Sequence, residues 1–369
     1  MKVLVTGAKG FIGKNLVLEL KAHGHEVFSY DLDSSEQDLR RFLGNCDFVM
    51  HLAGINRPLS VEEFYDGNTN FTKKLLDTMD EAGSKAPILF SSSTKAACDD
   101  DYGKSKRMAE ELLFAAAKKR NVYVYRLYNV YGKWCRPGYN SVIATWCDAI
   151  AHDLPVSMNE KDPSIDFVYI DDVVSSFIET MEKGRTTKEG EILYVEPHDN
   201  VHLSEVLSLL RSFKDSRKNL EVPLQEGFSK KLYATYLSYL DTDDFFYPLS
   251  MHIDQRGSFT ECLHFPSRGQ VSINVSHPGI TKGNHYHKTK NEKFLCVSGE
   301  VLIAFRKIGE KDVIEYRVSE KELKVVDIPP GYTHSITTLG NKDSVTLMWA
   351  NEPFDAANPD TYREDVLPK

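Results

Sequence analysis

MKVLVTGAKGFIGKNLVLEL, residues 1–20, decides the fold of the first half of this chain. Residues 3–5 are apolar and read as a buried strand. Gly7, Gly10 and Gly13 follow at the spacing G-x-x-G-x-x-G, and Phe11, Leu16, Val17 and Leu20 then recur at helical spacing over 11–23. Glycines between a strand and a helix permit a tight turn and close backbone approach, so amides at the helix start can face a pyrophosphate. Gly7, Lys9, Gly10, Phe11, Ile12 and Gly13 are therefore the expected dinucleotide-binding loop. Asp31 ends the next strand, EVFSYD, eighteen residues after Gly13. A carboxylate there accepts from a ribose 2′-hydroxyl and favours NADH, whereas Lys9 offers a cation to the 2′-phosphate of NADPH.

Working outward, DFVMHLAG and APILFSSS read as further strands, with helical stretches over 69–82 and 105–120. The alternation predicts a doubly wound parallel α/β sheet of the Rossmann type. Residues 192–240 remain mixed, with a strand at ILYVEP and a helix at SEVLSLLRSF capped by Ser204. After DTDDFFYP the texture changes to short alternating runs, EVLIAFRK, DVIEYRV, LKVVDI and SVTLMWA, which predict an antiparallel all-β domain. The expected domains are residues 1–243 and 244–369.

The chain has 369 residues and a formal net charge of −9. Acidity argues against a nucleic-acid groove or a polybasic membrane patch, and no apolar run reaches the length of a signal peptide or a membrane span. The six cysteines show no pairing framework and are expected to be free thiols in a reducing cytoplasm.

Tyr102 and Lys106 open a helix four residues apart, on one face. An ammonium near the phenol is expected to lower its pKa, so that the pair exchanges a proton with a carbonyl or hydroxyl during hydride transfer. Here the sequence resembles the extended short-chain dehydrogenases/reductases acting on nucleotide sugars. The matches run in order: TGAKGFIG at 6–13, HLAG at 51–54, Asn68 in GNTN, FSSS at 90–93, YGKSK at 102–106, RLYNVYG at 126–132 and DFVYIDDVV at 166–174. The resemblance implies that Leu52, Ala53, Gly54, Asn68, Tyr102 and Lys106 join the glycine loop and Asp31 in binding the cofactor. It implies that Ser93 and Tyr102 engage the sugar carbonyl, and that Asn129 and Val130 line the substrate cleft. Only eight residues separate Ser93 from Tyr102, fewer than in the family, so the hydroxyl partner is Ser92, Ser93 or Thr94. Lys95 and Ala96 stand where related 4,6-dehydratases carry an Asp-Glu pair, so oxidation or reduction is expected rather than dehydration.

In the second domain, NHYHKTKNE places His285 and His287 two apart, with Glu292 and, further on, His334 in PPGYTH. Residues two apart on a strand share a face. Three imidazoles and a carboxylate suit one divalent metal, with zinc the first expectation. The spacing Gly279, His285, His287, Glu292, Gly299 resembles the first cupin signature, which implies a cupin barrel; the second signature is partial. DQRGSFTE, with Asp254, Arg256 and Glu261, resembles a segment of the sugar 3,5-epimerases. It implies a substrate contact at Arg256 and gives His285 two competing roles, metal ligand or base.

The two halves together resemble bifunctional capsular-polysaccharide synthesis enzymes. That resemblance implies C3 epimerisation of a UDP-2-acetamido-2,6-dideoxy-4-keto-hexose in the cupin. NADPH-dependent C4 reduction to UDP-2-acetamido-2,6-dideoxy-L-talose then follows, on the route to UDP-N-acetyl-L-fucosamine. A cytoplasmic homodimer taking a UDP-sugar, with neither nucleic acid nor membrane as partner, is expected. The competing expectations are a single-activity 4-reductase or 4-epimerase whose cupin serves only dimerisation, and a non-catalytic dinucleotide sensor.

Overall fold

A computed structural model describes residues 1–158, 161–185, 187–188, 190–223, 226–245, 247–265 and 269–367. The first half builds β1 (Lys2–Thr6), β2 (Glu26–Tyr30), β3 (Phe48–His51), β4 (Ile88–Ser93), β5 (Val122–Leu127), β6 (Asn129–Tyr131), β7 (Ser164–Tyr169), β8 (Ile192–Leu193) and β9 (Asp199–His202). Six strands form one sheet in the order β2-β1-β3-β4-β5-β8, every pairing parallel. β6, β7 and β9 form a smaller sheet. β1, β3 and β4 are buried almost throughout, as strands covered on both faces must be. Two apolar cores result. One packs Leu16 and Leu20 with Phe177 and Ile178, and the other packs Leu39, Leu75 and Met79 with Leu113.

The first helix begins at Phe11 as read, while later ones begin earlier than the periodicity predicts. The one carrying Tyr102 spans Asp101–Ala116, capped by Asp100, whose carboxylate accepts from Gly103 N at 2.7 Å. A π-helical turn, Tyr65–Asn70, precedes the helix Phe71–Glu81. Ser204 is not a cap: the helix Leu203–Asn219 starts before it, and Asp162 accepts from both its amide and its hydroxyl.

The second half adds β10 (Met251–Asp254), β11 (Gly257–Phe265), β12 (Gly269–Ser276), β13 (Thr281–Tyr286), β14 (Glu292–Ser298), β15 (Glu300–Lys307), β16 (Val313–Ser319), β17 (Val325–Ile328), β18 (Tyr332–Leu339), β19 (Ser344–Ala350) and β20 (Tyr362–Arg363). They form two antiparallel sheets, β10-β11-β12-β19-β14-β17 and β16-β15-β18-β13-β20. Phe294, Val301, Ile303, Phe305 and Ile336 make an apolar core. Along β12 the buried alternate residues are instead polar: Gln270, Ser272, Asn274 and Ser276. The chain separates into two compact units. One is Met1–Arg211 with a stretch ending at Leu240; the other is a stretch beginning at Ser212 with the chain from Asp241 onward. No helix among the described residues is long and apolar enough to cross a membrane.

Candidate functional site

The glycine loop has no room for side chains. A Cβ on Gly13 would stand 2.1 Å from the Gly7 carbonyl oxygen, and one on Gly7, at φ +68°, would stand 2.8 Å from Ala53 N. Gly10 N donates to Gly7 O at 3.0 Å, closing the turn before Phe11 and Ile12 begin the helix. Leu52, Ala53 and Gly54 follow β3 and lie against this loop, Leu52 N donating to Thr6 O at 3.2 Å. This is a cradle that fits a dinucleotide pyrophosphate. Asp31 accepts from Lys9 N at 2.7 Å and from Leu32 N at 2.9 Å, which fixes its carboxylate at the end of β2. Lys9 Nζ lies 2.5 Å from Asp33, a residue the sequence reading passed over.

Asn68 donates to Ile55 O and Ser105 Oγ and accepts from Ile55 N, each at 2.9 Å. Its amide is thus engaged by protein and holds the loop after β3. Gly54 is the tight point, since a Cβ there would meet Asn68 Oδ1 at 2.7 Å and Lys106 Nζ at 3.0 Å.

Ser93, Tyr102 and Lys106 come together at the C-terminal end of β4, where parallel sheets bind ligands. The short connection closes through a 3-10 turn, Thr94–Ala97, capped by Ser93, whose hydroxyl accepts from Lys95 N at 3.2 Å. Gly103 permits this closeness, because a Cβ there would sit 2.3 Å from Lys95 O. Of the three candidate hydroxyls, Ser93 hydrogen-bonds the Tyr102 phenol. Ser92 is buried and donates to Glu110 at 2.5 Å, which removes it from the expected substrate contacts. Lys106 Nζ donates to Ser91 O at 3.0 Å and lies 4.8 Å from the centre of the Phe90 ring.

The electrostatics correct one expectation. Tyr102 is not lowered: burial raises its pKa, the Ser93 hydrogen bond works the other way, and Asp100 adds to the rise. Burial pushes Lys106 instead, down to about 8, with Glu110 opposing. A phenol in a half-buried pocket loses more from desolvation of its anion than the Ser93 hydroxyl returns. Asn129 is exposed on β6 and donates to Asp166 O at 3.1 Å, while Val130 packs partly against the first core.

In the barrel, His285, His287, Glu292 and His334 each turn one ligand atom into a common point, all within 4.8 Å of one another. His285 and His334 are register partners on β13 and β18, across a bulge at Asn284 (φ +58°). Glu292 opens β14; its carboxylate lies 3.3 Å from His287 Nε2 and 3.4 Å from His334 Nε2. His334 is 1 % exposed; its Nδ1 has no hydrogen-bond partner, and its Nε2 has the Glu292 carboxylate at 3.4 Å without hydrogen-bond geometry. Buried orphan nitrogens are costly, and a divalent metal held by this N3O set would take up one nitrogen of each ring, His334 included, so the residues fit the group. Burial first, then the His334 and His287 rings, push His285 down to about 4. Burial opposes ionisation of Glu292, but His287 and His334 hold its carboxyl well below the usual range.

Asp360 escaped the sequence reading, being about seventy positions away. Its carbonyl contacts His287 Nδ1, and its carboxylate accepts from the amides of Lys288, Thr289 and Lys290 at 2.7 to 2.9 Å, fixing the loop between two candidate ligands. Arg256 is half exposed, pairs with Asp254 at 2.5 Å, and lines a cavity together with Asp254, Asn274 and Lys282.

Comparison with known proteins follows these halves. Residues 3–195 match the NAD dependent epimerase/dehydratase family, and residues 252–362 match the polysaccharide biosynthesis C-terminal domain. The chain is 43% identical to a UDP-2-acetamido-2,6-beta-L-arabino-hexul-4-ose reductase of Pseudomonas aeruginosa, over 98% of each chain. It is similar to the crystal structure of capsular polysaccharide assembling protein CapF from Staphylococcus aureus, at 46% identity and a TM-score of 0.93, covering 99% of this chain and 100% of that one. The spore coat polysaccharide biosynthesis protein SpsL of Bacillus subtilis matches over 31% of this chain and 83% of its own length, at 27% identity.

Proposed function

Because the chain belongs to the NAD dependent epimerase/dehydratase family, we propose that its first unit reduces the C4 ketone of a UDP-2-acetamido-2,6-dideoxy-hexulose in capsular polysaccharide synthesis. The observation that carries this reading is the meeting of Ser93, Tyr102 and Lys106 at the end of β4. The likeness to the Pseudomonas reductase along the whole chain supports the substrate class.

When bound, the dinucleotide supplies hydride. Tyr102 then delivers the proton to the C4 oxygen; the phenol is protonated at neutral pH, burial disfavours the phenolate that the transfer leaves, and the Ser93 hydroxyl works against that cost. Ser93 orients that oxygen, and Lys106 adds positive charge below the phenol. NADPH is the proposed donor. The exposed Lys9–Asp33 pair is weak enough for a 2′-phosphate to take Lys9 over.

The second unit is proposed to epimerise C3 beforehand. A hydrogen beside a ketone is acidic because its charge moves onto oxygen. His285, His287, Glu292 and His334 would hold a divalent metal, zinc first among the choices, which supplies Lewis acidity there. The convergence of all four side chains favours His285 as ligand over His285 as base, so another group of this unit takes the C3 proton and returns one to the opposite face. Subsequent reduction fixes the new configuration and yields UDP-2-acetamido-2,6-dideoxy-L-talose.

Tyr102→Phe separates the two steps. Incubated with the 4-keto-6-deoxy UDP-sugar in deuterated buffer, it should oxidise NADPH at least about a hundredfold more slowly than wild type while still exchanging C3–H. Unchanged NADPH oxidation would remove Tyr102 from the reaction. Wild type that reduces without exchange would be a single-activity reductase.

A further inference from the structure

Behind Lys106 lies a polar cluster that the proposed reaction leaves unused. Glu110, four residues further along the same helix, is 2 % exposed. It accepts from Arg126 Nε at 3.0 Å and Nη2 at 2.7 Å, and from Ser92 Oγ at 2.5 Å. Ser92 stands between Ser91, whose carbonyl accepts from Lys106, and Ser93, which bonds Tyr102. A buried ion pair is no more stabilising than apolar packing of the same volume. Its place here therefore calls for a reason other than stability.

We propose that Glu110 is a positioning residue of the reductase site, anchoring through Ser92 the end of β4, whose Ser91 carbonyl holds the Lys106 ammonium. The inference rests on the reductase reading above. Lys106 is faced by Glu110 from its own helix, by His51 from β3 and by the Ser91 carbonyl and Phe90 ring from β4, with Arg126 from β5 reaching the cluster through Glu110. His51 is neutral, since burial pushes it down to about 3. Among the described residues, Glu110 is the carboxylate that opposes the effect of burial on Lys106. Removing its charge lets the ammonium lose its proton at lower pH. Removing Arg126 frees Glu110 from a competing cation and has the opposite sign.

The test is the pH dependence of NADPH oxidation with the keto-sugar, for wild type, Glu110→Gln, Glu110→Asp and Arg126→Met. In Glu110→Gln the alkaline limb should move down by about one pH unit, with the KM for sugar little changed, and Glu110→Asp should restore it. Arg126→Met should move the limb upward. Limbs that superimpose, or that move the same way in both charge variants, overturn the proposal. Should Glu110→Gln fail to fold, Arg126→Met decides alone: an upward shift supports the role and an unmoved limb removes it. NADPH binding, followed by fluorescence across the same pH range, needs no sugar. It reads the same displacement even if wild type proves not to be a reductase of this sugar.

Discussion

Ser92 and Ser93 are neighbours of identical chemistry with different fates. Period two in β4 turns Ser92 inward to Glu110, while Ser93 ends the strand beside Tyr102. Ser93→Ala is expected to lower kcat of the reduction by about ten- to a hundredfold with little change in melting temperature. Ser92→Ala should instead register as a loss of stability, seen by thermal unfolding. Gly13→Ala should abolish dinucleotide binding, because its Cβ would overlap the Gly7 carbonyl. His51 gives a pH signature. It lies buried between Thr6 and Thr72, with a folded pKa near 3 against 6.5 when unfolded. The unfolded chain therefore binds the proton first. The stability from neutral His51 is complete above pH 6.5 and is lost as pH falls toward 3, at no more than about 1.4 kcal/mol per pH unit. His51→Gln should melt earlier at pH 8 yet lose less between pH 6.5 and 4.5, as measured by calorimetry.

At the scale of elements, the first strand, glycine turn and helix were legible because each follows from local rules. Buried parallel strands are continuous apolar runs, and only glycine tolerates the contacts at positions 7 and 13. Lys9 shows where that legibility stops. Its position in the loop was plain, but its ion pair with Asp33 depends on how the end of β2 turns back. Lys9→Ala is expected to raise the KM for NADPH more than that for NADH, in steady-state kinetics with both donors. Equal changes would take Lys9 away from the 2′-phosphate. The tyrosine's helix was also legible, but its start was not. It begins at Asp101, four residues before the stretch read as helical, with Asp100 as its cap, and a 3-10 turn occupies part of the short connection from Ser93. The direction of the Tyr102 shift was misread for a related reason: spacing reports that a lysine is near, not how deeply the phenol is buried. In the barrel the H-x-H…E…H pattern announced a convergent set, which the antiparallel register of β13 with β18 and of β14 with β19 assembles. Asp360, Glu110 and Arg126 carried no such signal, because their roles arise only from contacts between distant segments.

At the scale of the whole molecule, a parallel α/β unit and an antiparallel barrel carry chemically different sites on one chain. The account assigns them successive uses of one ketone, first to acidify C3–H and then to accept hydride. Independence of the two sites is itself testable. Exhaustive chelation should abolish C3 exchange and lower the melting temperature, since the buried His334 nitrogen that the metal takes up is left without a hydrogen bond, while NADPH binding to the first unit persists. Titration with the dinucleotide after chelation checks this. The most direct measurement is NMR analysis of the product formed by wild-type protein from the 4-keto UDP-sugar in deuterated water with unlabelled NADPH. The account predicts deuterium at C3, protium at C4 and one NADPH consumed for each product molecule. Product carrying protium at C3 throughout would contradict it.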